Sequence, residues 1–178
     1  KTKDYLSDFL AHEFVVFGMK NNRNFVVSWQ NKARASHMDV SCLANTQEEA
    51  NTKIILHAVH LAGRRSKTLH IFSPDTDVMV LAIQRFPLLQ SDSGLFIGLG
   101  LSRHYVSLEP IYKALGPLKA SALSRLHSLS GADVTGSFSG KGKLTWWKAF
   151  NSTSNVVLQV LSELGISAMY RILKKEGA

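Results

Sequence analysis

Between Leu69 and Val78 the chain reads Leu-His-Ile-Phe-Ser-Pro-Asp-Thr-Asp-Val, and this stretch constrains the fold more than any other. The apolar run Leu69–Phe72 has strand character and predicts a buried β-strand. Pro74 fixes φ and removes a backbone donor, so the strand stops there. A second apolar run, Val78–Ile83, predicts a helix from about Asp77 to Phe86. Asp75 and Asp77 therefore fall just past the carboxyl end of a strand, the place where ligand sites form in open α/β sheets. Two explanations of the pair stand side by side. Asp75 is a residue type that caps helices, and the helix begins two residues later. Alternatively, two neighbouring carboxylates repel unless a cation lies between them, and a hard divalent metal prefers carboxylate oxygens.

The flanking sequence sets that stretch in an α/β alternation. Thr46 followed by Glu49 forms a capping box, and Ala50, Ile54, Ile55, Ala58, Leu61 and Ala62 continue as the apolar stripe of a helix ended by Gly63. Arg64-Arg65-Ser66-Lys67 is a basic turn into the Leu69 strand. After a turn at Ser91–Gly94, Leu95–Gly100 predicts another buried strand, with His104–Leu108 pairing to it as a hairpin. A helix, a strand, a helix and a strand in this order predict an α/β fold with a parallel sheet core. Upstream, Leu6, Phe9, Leu10, Phe14 and Phe17 predict a helix over Asp4–Phe17 that buries this face, with Gly18 as its C-cap. Phe25–Trp29 predicts a short strand, and Asn31–Val40 a loop with a helical turn. Downstream the chain turns helical. Glu109–Leu115 is stopped by Gly116-Pro117, a second helix runs from Leu118 to Gly131, and Leu144–Phe150 and Asn155–Leu164 supply two more. Tyr170–Ala178 is a basic tail.

Composition excludes several classes. With 178 residues, 45% apolar and 19% charged, the chain can bury a core, and extensive disorder is not expected. No apolar run approaches the roughly 20 residues needed to cross a bilayer, so no membrane partner is expected. The beginning of the chain has no signal-peptide core. A single cysteine, Cys42, excludes an intramolecular disulfide and a cysteine-based zinc site, which points to a nuclear or cytoplasmic location. The formal charge is +8, a balance that suits a polyanionic partner such as DNA or RNA.

Other residues carry possible chemistry, each with a plain structural alternative. At about 100° per residue, Asn51 falls on the core face of the Thr46 helix and Glu48 on its flank, whereas Glu49 points away and suits the capping box or a pair with Lys53. Asp133, in Gly-Ala-Asp, is a turn aspartate or a carboxylate aimed at a site. Gly136-Ser-Phe-Ser-Gly140-Lys-Gly142-Lys143 opens onto a helix, which makes it a phosphate cradle or a solvent loop. It is not a Walker A loop, since Leu144 stands where the hydroxyl residue would be. His57 and His60 have no complementary ligands and are expected to pack on the helix. Trp146-Trp147 either stacks on bases or anchors its helix.

Gln47-Glu-Glu-Ala-Asn-Thr52, Ser73-Pro-Asp-Thr-Asp-Val78 and Gly131-Ala-Asp-Val-Thr-Gly-Ser-Phe-Ser-Gly-Lys-Gly-Lys143, in that order, resemble the PIN-like nuclease superfamily. The likeness is to its flap-endonuclease-like branch and transposon-associated animal relatives, and it covers roughly Gln47 to Phe150. It implies a single PIN-like, Rossmann-like α/β domain with a parallel sheet flanked by helices. Its parts would be an atypical stretch 1–45, a core 46–108, a helical part 109–164 with the Gly/Lys hairpin, and a basic tail 165–178. The resemblance further implies hydrolysis of phosphodiesters by two Mg²⁺ or Mn²⁺ ions. Asp75, Asp77, Asp133 and Glu48 would be catalytic and metal-binding, with Glu49 and Asn51 as further metal ligands. Gly140, Lys141, Gly142, Lys143 and Lys148 would grip nucleic acid.

The sequence departs from that pattern in three places. Asn51 stands where relatives commonly carry an aspartate, and an amide does not neutralise a dication. Nothing before Thr46 resembles the first strand with its catalytic aspartate, since Asp4 and Asp8 lie in a helical stretch. Pro74 sits where strand meets carboxylates. Two functions follow: a metal-dependent nuclease, or an inactive nucleic-acid-binding or scaffold module that keeps the fold.

Overall fold

A computed structural model describes residues 2–44, 50–63, 68–131 and 140–164. The chain divides into two compact units, Lys1–His57 and Ala58–Ala178.

The first unit is a helix with a hairpin. Helix α1 (Thr2–Lys20) is followed by β1 (Val26–Trp29) and β2 (Lys32–Ala35), which pair antiparallel with Trp29 opposite Lys32. The hairpin corrects the expectation of a loop over Asn31–Val40. The two-residue turn is made by Gln30, at φ 49°, and Asn31. The pattern in Lys32–Ala35 is too polar to announce a strand, because the ladder here has no fully buried face. The helix itself runs on through Gly18. That glycine is no cap: a Cβ there would come within 2.9 Å of the Arg23 carbonyl oxygen and the Ser36 side chain. Ser36 Oγ donates to the Arg23 carbonyl and accepts from the Phe25 N–H, so the close approach closes the turn onto the helix. The expected buried face of α1 is also overturned. Ala11, Val15 and Gly18 are buried, while Leu6, Phe9, Leu10, Phe14 and Phe17 are exposed. Phe14 and Phe17 nonetheless touch the start of the hairpin, their rings 6.2 and 5.7 Å from that of Phe25. Asp8 fastens the arrangement by accepting from Trp29 Nε1 and pairing with Lys32 Nζ at 3.3 Å.

Helix α2 (Ala50–Ala62) buries Ile55, Ala58 and Ala62 of its expected stripe and half-buries Ile54, whereas Ala50 and Leu61 of that stripe are exposed. His57 Nε2 lies 2.9 Å from Ser28 Oγ, a packing role of the kind expected for it. The capping box Thr46–Glu49 lies outside the described residues.

The second unit contains a three-stranded sheet of order β3-β4-β5. Strand β3 (Leu69–Ser73) pairs parallel with β4 (Ser93–Ile97), and β4 pairs antiparallel with β5 (His104–Ser107). The sheet is therefore mixed, the parallel pair expected for the core being joined by the antiparallel hairpin expected of His104–Leu108. The α/β class stands, with α3 (Asp77–Gln84) making the crossover that a parallel pair requires. Leu69, Ile71 and Ser73 are buried and His70 and Phe72 exposed, so β3 is an edge strand covered on one face and not a strand buried on both. Helix α4 (Leu108–Leu129) is bent where Gly116 adopts φ 74° before Pro117, the stop expected at this dipeptide. Its second half buries Ala120, Ala122, Leu123 and Leu126. Helices α5 (Lys143–Ser152) and α6 (Asn155–Glu163) follow, with Phe150 and Leu158 as their buried residues. Among the described residues no helix is long and apolar enough to cross a membrane.

Two outcomes test this packing. Leu158→Ala should destabilise the protein by about 2–4 kcal/mol through the cavity left behind, and exposed Val156→Ala by under about 0.5 kcal/mol, in urea denaturation. The Trp29 hydrogen bond, then Lys32, holds the Asp8 carboxyl below its usual value of 3.8. A depressed folded-state pKa gives stability that is present above the unfolded value and lost as pH falls through the folded one. The stability difference between wild type and Asp8→Asn should accordingly be constant above about pH 5 and shrink as pH falls below about 4.

Candidate functional site

Ser73 ends β3 with its side chain buried, and its Oγ accepts the Asp75 N–H at 3.1 Å. Asp75 Oδ1 in turn accepts the Asp77 N–H at 2.9 Å. These two short-range bonds turn the chain from strand to helix and satisfy donors that Pro74 leaves the segment to arrange locally. Thr76, the residue just before α3, makes no side-chain cap bond, so Asp75 takes the capping role from one position earlier. The cap explanation of Asp75 thus holds in the geometry. It does not exhaust the residue: a carboxylate with one oxygen on a backbone N–H retains acceptor capacity for other partners.

Asp77, in the first turn of α3, meets the last turn of α4. His127 Nε2 lies 2.9 Å from Asp77 Oδ1, and both side chains are half-buried. The ring nitrogen is near enough for an ion pair but lacks the alignment of a hydrogen bond, so the contact depends on the imidazole carrying a proton. Gln84 Nε2 donates to the Ser121 carbonyl at 3.1 Å and fixes the far end of α3 against the same helix. His127 is the residue that sequence reasoning missed. Its signal is position: it stands in the last turn of the helix that leads to Gly131 and on to Asp133.

The remaining candidates are distributed as follows. Asn51 is half-buried in the first turn of α2. Glu48, Glu49 and Asp133 lie outside the described residues. Among the described residues no three His, Cys, Asp or Glu side chains gather in a way that could hold a metal ion. Gly140 adopts φ 71°, a conformation that a side chain would strain. Gly142 precedes α5, and its carbonyl accepts the N–H groups of Thr145 and Trp146. Lys141, Lys143 and Lys148 are all exposed. Trp147 is exposed and stacks on buried Phe150 of its own helix, with ring centroids 5.9 Å apart.

An open apolar cleft of about 620 Å³ joins these parts, since His127, Lys143 and Trp147 all contribute to its wall alongside Met79 and Leu123. The structure therefore brings the partner of Asp77 and one lysine of the Gly/Lys element to a common cleft. No protein-family model, no curated protein and no solved structure matches the chain.

The Asp77–His127 contact should be measurable as a coupling. A double-mutant cycle of Asp77→Asn and His127→Gln in urea denaturation should give about 0.5–1 kcal/mol, falling as salt is raised. A coupling indistinguishable from zero at low salt would mean that the pair does not interact in solution.

Proposed function

We propose that this chain is a PIN-like domain descended from metal-dependent nucleases and that it acts on nucleic acid by hydrolysing phosphodiesters. One observation supports this most directly. Asp75 and Asp77 stand together at the carboxyl end of β3, at the crossover of the parallel pair, which is where the fold class builds ligand sites. The exposed lysines at the start of α5 and the formal charge of +8 suit a phosphate backbone.

In this proposal Asp75 and Asp77 would hold Mg²⁺ or Mn²⁺ with Asn51 and with Glu48, Glu49 and Asp133. The carboxylate oxygens fit a hard cation, and both aspartates keep some solvent access. When bound, such ions supply an activated water and stabilise the leaving oxygen. The residues themselves do the positioning. The Asp77 N–H bond orients the Asp75 carboxylate, and His127 orients that of Asp77. Lys141, Lys143 and Lys148 would draw the backbone in, and Gly140 and Gly142 would let it approach without side-chain obstruction.

A second function is favoured by the same His127. Its imidazole already stands 2.9 Å from Asp77 Oδ1, an oxygen that the nuclease would give to metal. That suits a binding module in which the cation site has been replaced by an internal ion pair. The two separate cleanly. The nuclease predicts Mn²⁺ binding in calorimetry that Asp77→Asn weakens at least tenfold, and Mn²⁺-dependent cleavage that Asp75→Asn abolishes. Failure to bind millimolar Mn²⁺ or to cut any substrate would leave the binding module, whose duplex affinity should survive Asp75→Asn. In that module Lys141→Glu with Lys143→Glu should lower duplex affinity and reduce the salt dependence of binding by about two charges.

A further inference from the structure

The face of the sheet turned away from the core carries the rings of His70, Phe72, Phe96 and Tyr105, with Gly94 and Ser107 between and beside them. The register places His70 beside Gly94 and Ser107, and Phe72 beside Phe96 and Tyr105. None of these outward positions is acidic, and none is aliphatic. Phe72 and Phe96 stack face to face, 4.6 Å apart and 4° from parallel. Tyr105 leans on Phe96 at 5.1 Å, and the His70 ring meets Phe96 at 5.5 Å and Tyr105 at 5.9 Å edge-on. The Arg103 guanidinium sits 5.7 Å from the Phe72 ring centroid. Phe72 and Tyr105 nonetheless remain 56% and 45% exposed.

Gly94 shows that the layer is built. A Cβ at that position would fall 2.1 Å from Tyr105 Cε2, so the tyrosine ring lies flat over the glycine. A strand interior ordinarily loses stability by carrying glycine. Here it removes the one side chain that would lift Tyr105 off the sheet.

We propose that this face is a stacking platform for a single-stranded polynucleotide. Exposed rings on a sheet offer π-faces to unstacked bases without regard to base identity. Arg103 adds charge suited to phosphates, in a chain with a formal charge of +8. The Arg103 guanidinium over the Phe72 ring favours an anionic partner over a purely apolar one. A duplex keeps its bases stacked on one another and has none to offer the rings. Phe72 is also the residue just before Ser73, so a strand stacked there leaves the sheet at the edge that carries Asp75. The proposal deepens the nucleic-acid function above and rests on it. Stacking and charge do not depend on the 2′-hydroxyl, so DNA and RNA should bind alike.

The test is fluorescence anisotropy with fluorescein-labelled oligo-dT and oligo-rU of about 16 nucleotides, the upper site size of a small stacking domain. Phe72→Ala and Tyr105→Ala should each weaken both by roughly 5- to 150-fold, the loss expected when a base loses its ring. Phe72→Trp, which keeps a ring, should retain or raise affinity and should show tryptophan quenching on binding. Gly94→Ala should weaken binding in proportion to the displacement of Tyr105, with thermal melting confirming that each variant is folded. Phe72 and Tyr105 are exposed, so their replacements are not expected to unfold the chain. Unchanged single-strand affinity in folded Phe72→Ala and Tyr105→Ala overturns the platform. So does a self-association seen in sedimentation that Phe72→Ala breaks while no oligonucleotide binds. Mn²⁺-dependent cleavage is the separate readout for the nuclease. Ring-dependent binding without cleavage keeps the platform and removes the catalytic function, and cleavage with ring-independent binding does the reverse.

Discussion

Parallel pairing of β3 with β4 is the constraint on which the second unit depends. A parallel pair cannot be closed by a tight turn, so the chain must leave the end of β3, cross the sheet and return. Helix α3 makes that crossing, and its apolar residues Val78, Ala82 and Ile83 are buried as a result. The requirement also decides where polar groups can go. The junction between Ser73 and Asp77 lies at the strand's end, where backbone donors lack ladder partners, and Ser73 and Asp75 side chains supply acceptors for two of them. Carboxylates at this junction are thus part of how the turn is made before they are anything else.

That double duty explains what the sequence could and could not tell. The Asp75-Thr-Asp77 stretch, the strand before it and the helix after it were legible because each obeys a local rule: β-type apolar residues, proline as a stop, and helical spacing. The bend at Gly116-Pro117 was legible for the same reason. What failed was anything decided by tertiary approach. Gly18 looks like a helix terminator, yet it is a contact with Ser36 across the first unit, and no local rule encodes that distance. The spacing in Asp4–Phe17 correctly marks a helix, but the residues it buries are Ala11, Val15 and Gly18, while Leu6, Phe9, Leu10, Phe14 and Phe17 stay exposed. Lys32-Ala33-Arg34-Ala35 alternates, but over only four residues and with alanine as its sole apolar residue, so the ladder that β1 offers decides the strand. At the site, the Asp75 and Asp77 placement was legible, and His127 was not, since its relation to Asp77 spans α3 and α4.

His127 alters the meaning of the carboxylate pair. Its ring nitrogen lies 2.9 Å from Asp77 Oδ1, so in the proposed nuclease a cation held by that oxygen and the imidazole would compete for the same acceptor.

The sheet brings the same question to its outer face. Singly exposed aromatic residues are ordinary on protein surfaces and need no function. A set of adjoining rings is different, because burying a phenylalanine side chain contributes about 1.5–3 kcal/mol, and Phe72 and Tyr105, 56% and 45% exposed, each forgo about half of that. The glycine beneath Tyr105 adds to the same side of the balance, since it weakens the strand it occupies. Stability alone therefore does not account for the layer. A partner that covers the rings recovers the burial, and the face selects what it can be: Arg103 favours an anion, and flat ring faces favour flat partners. Bases joined by phosphates meet both conditions at once, whereas an aliphatic helix face meets neither.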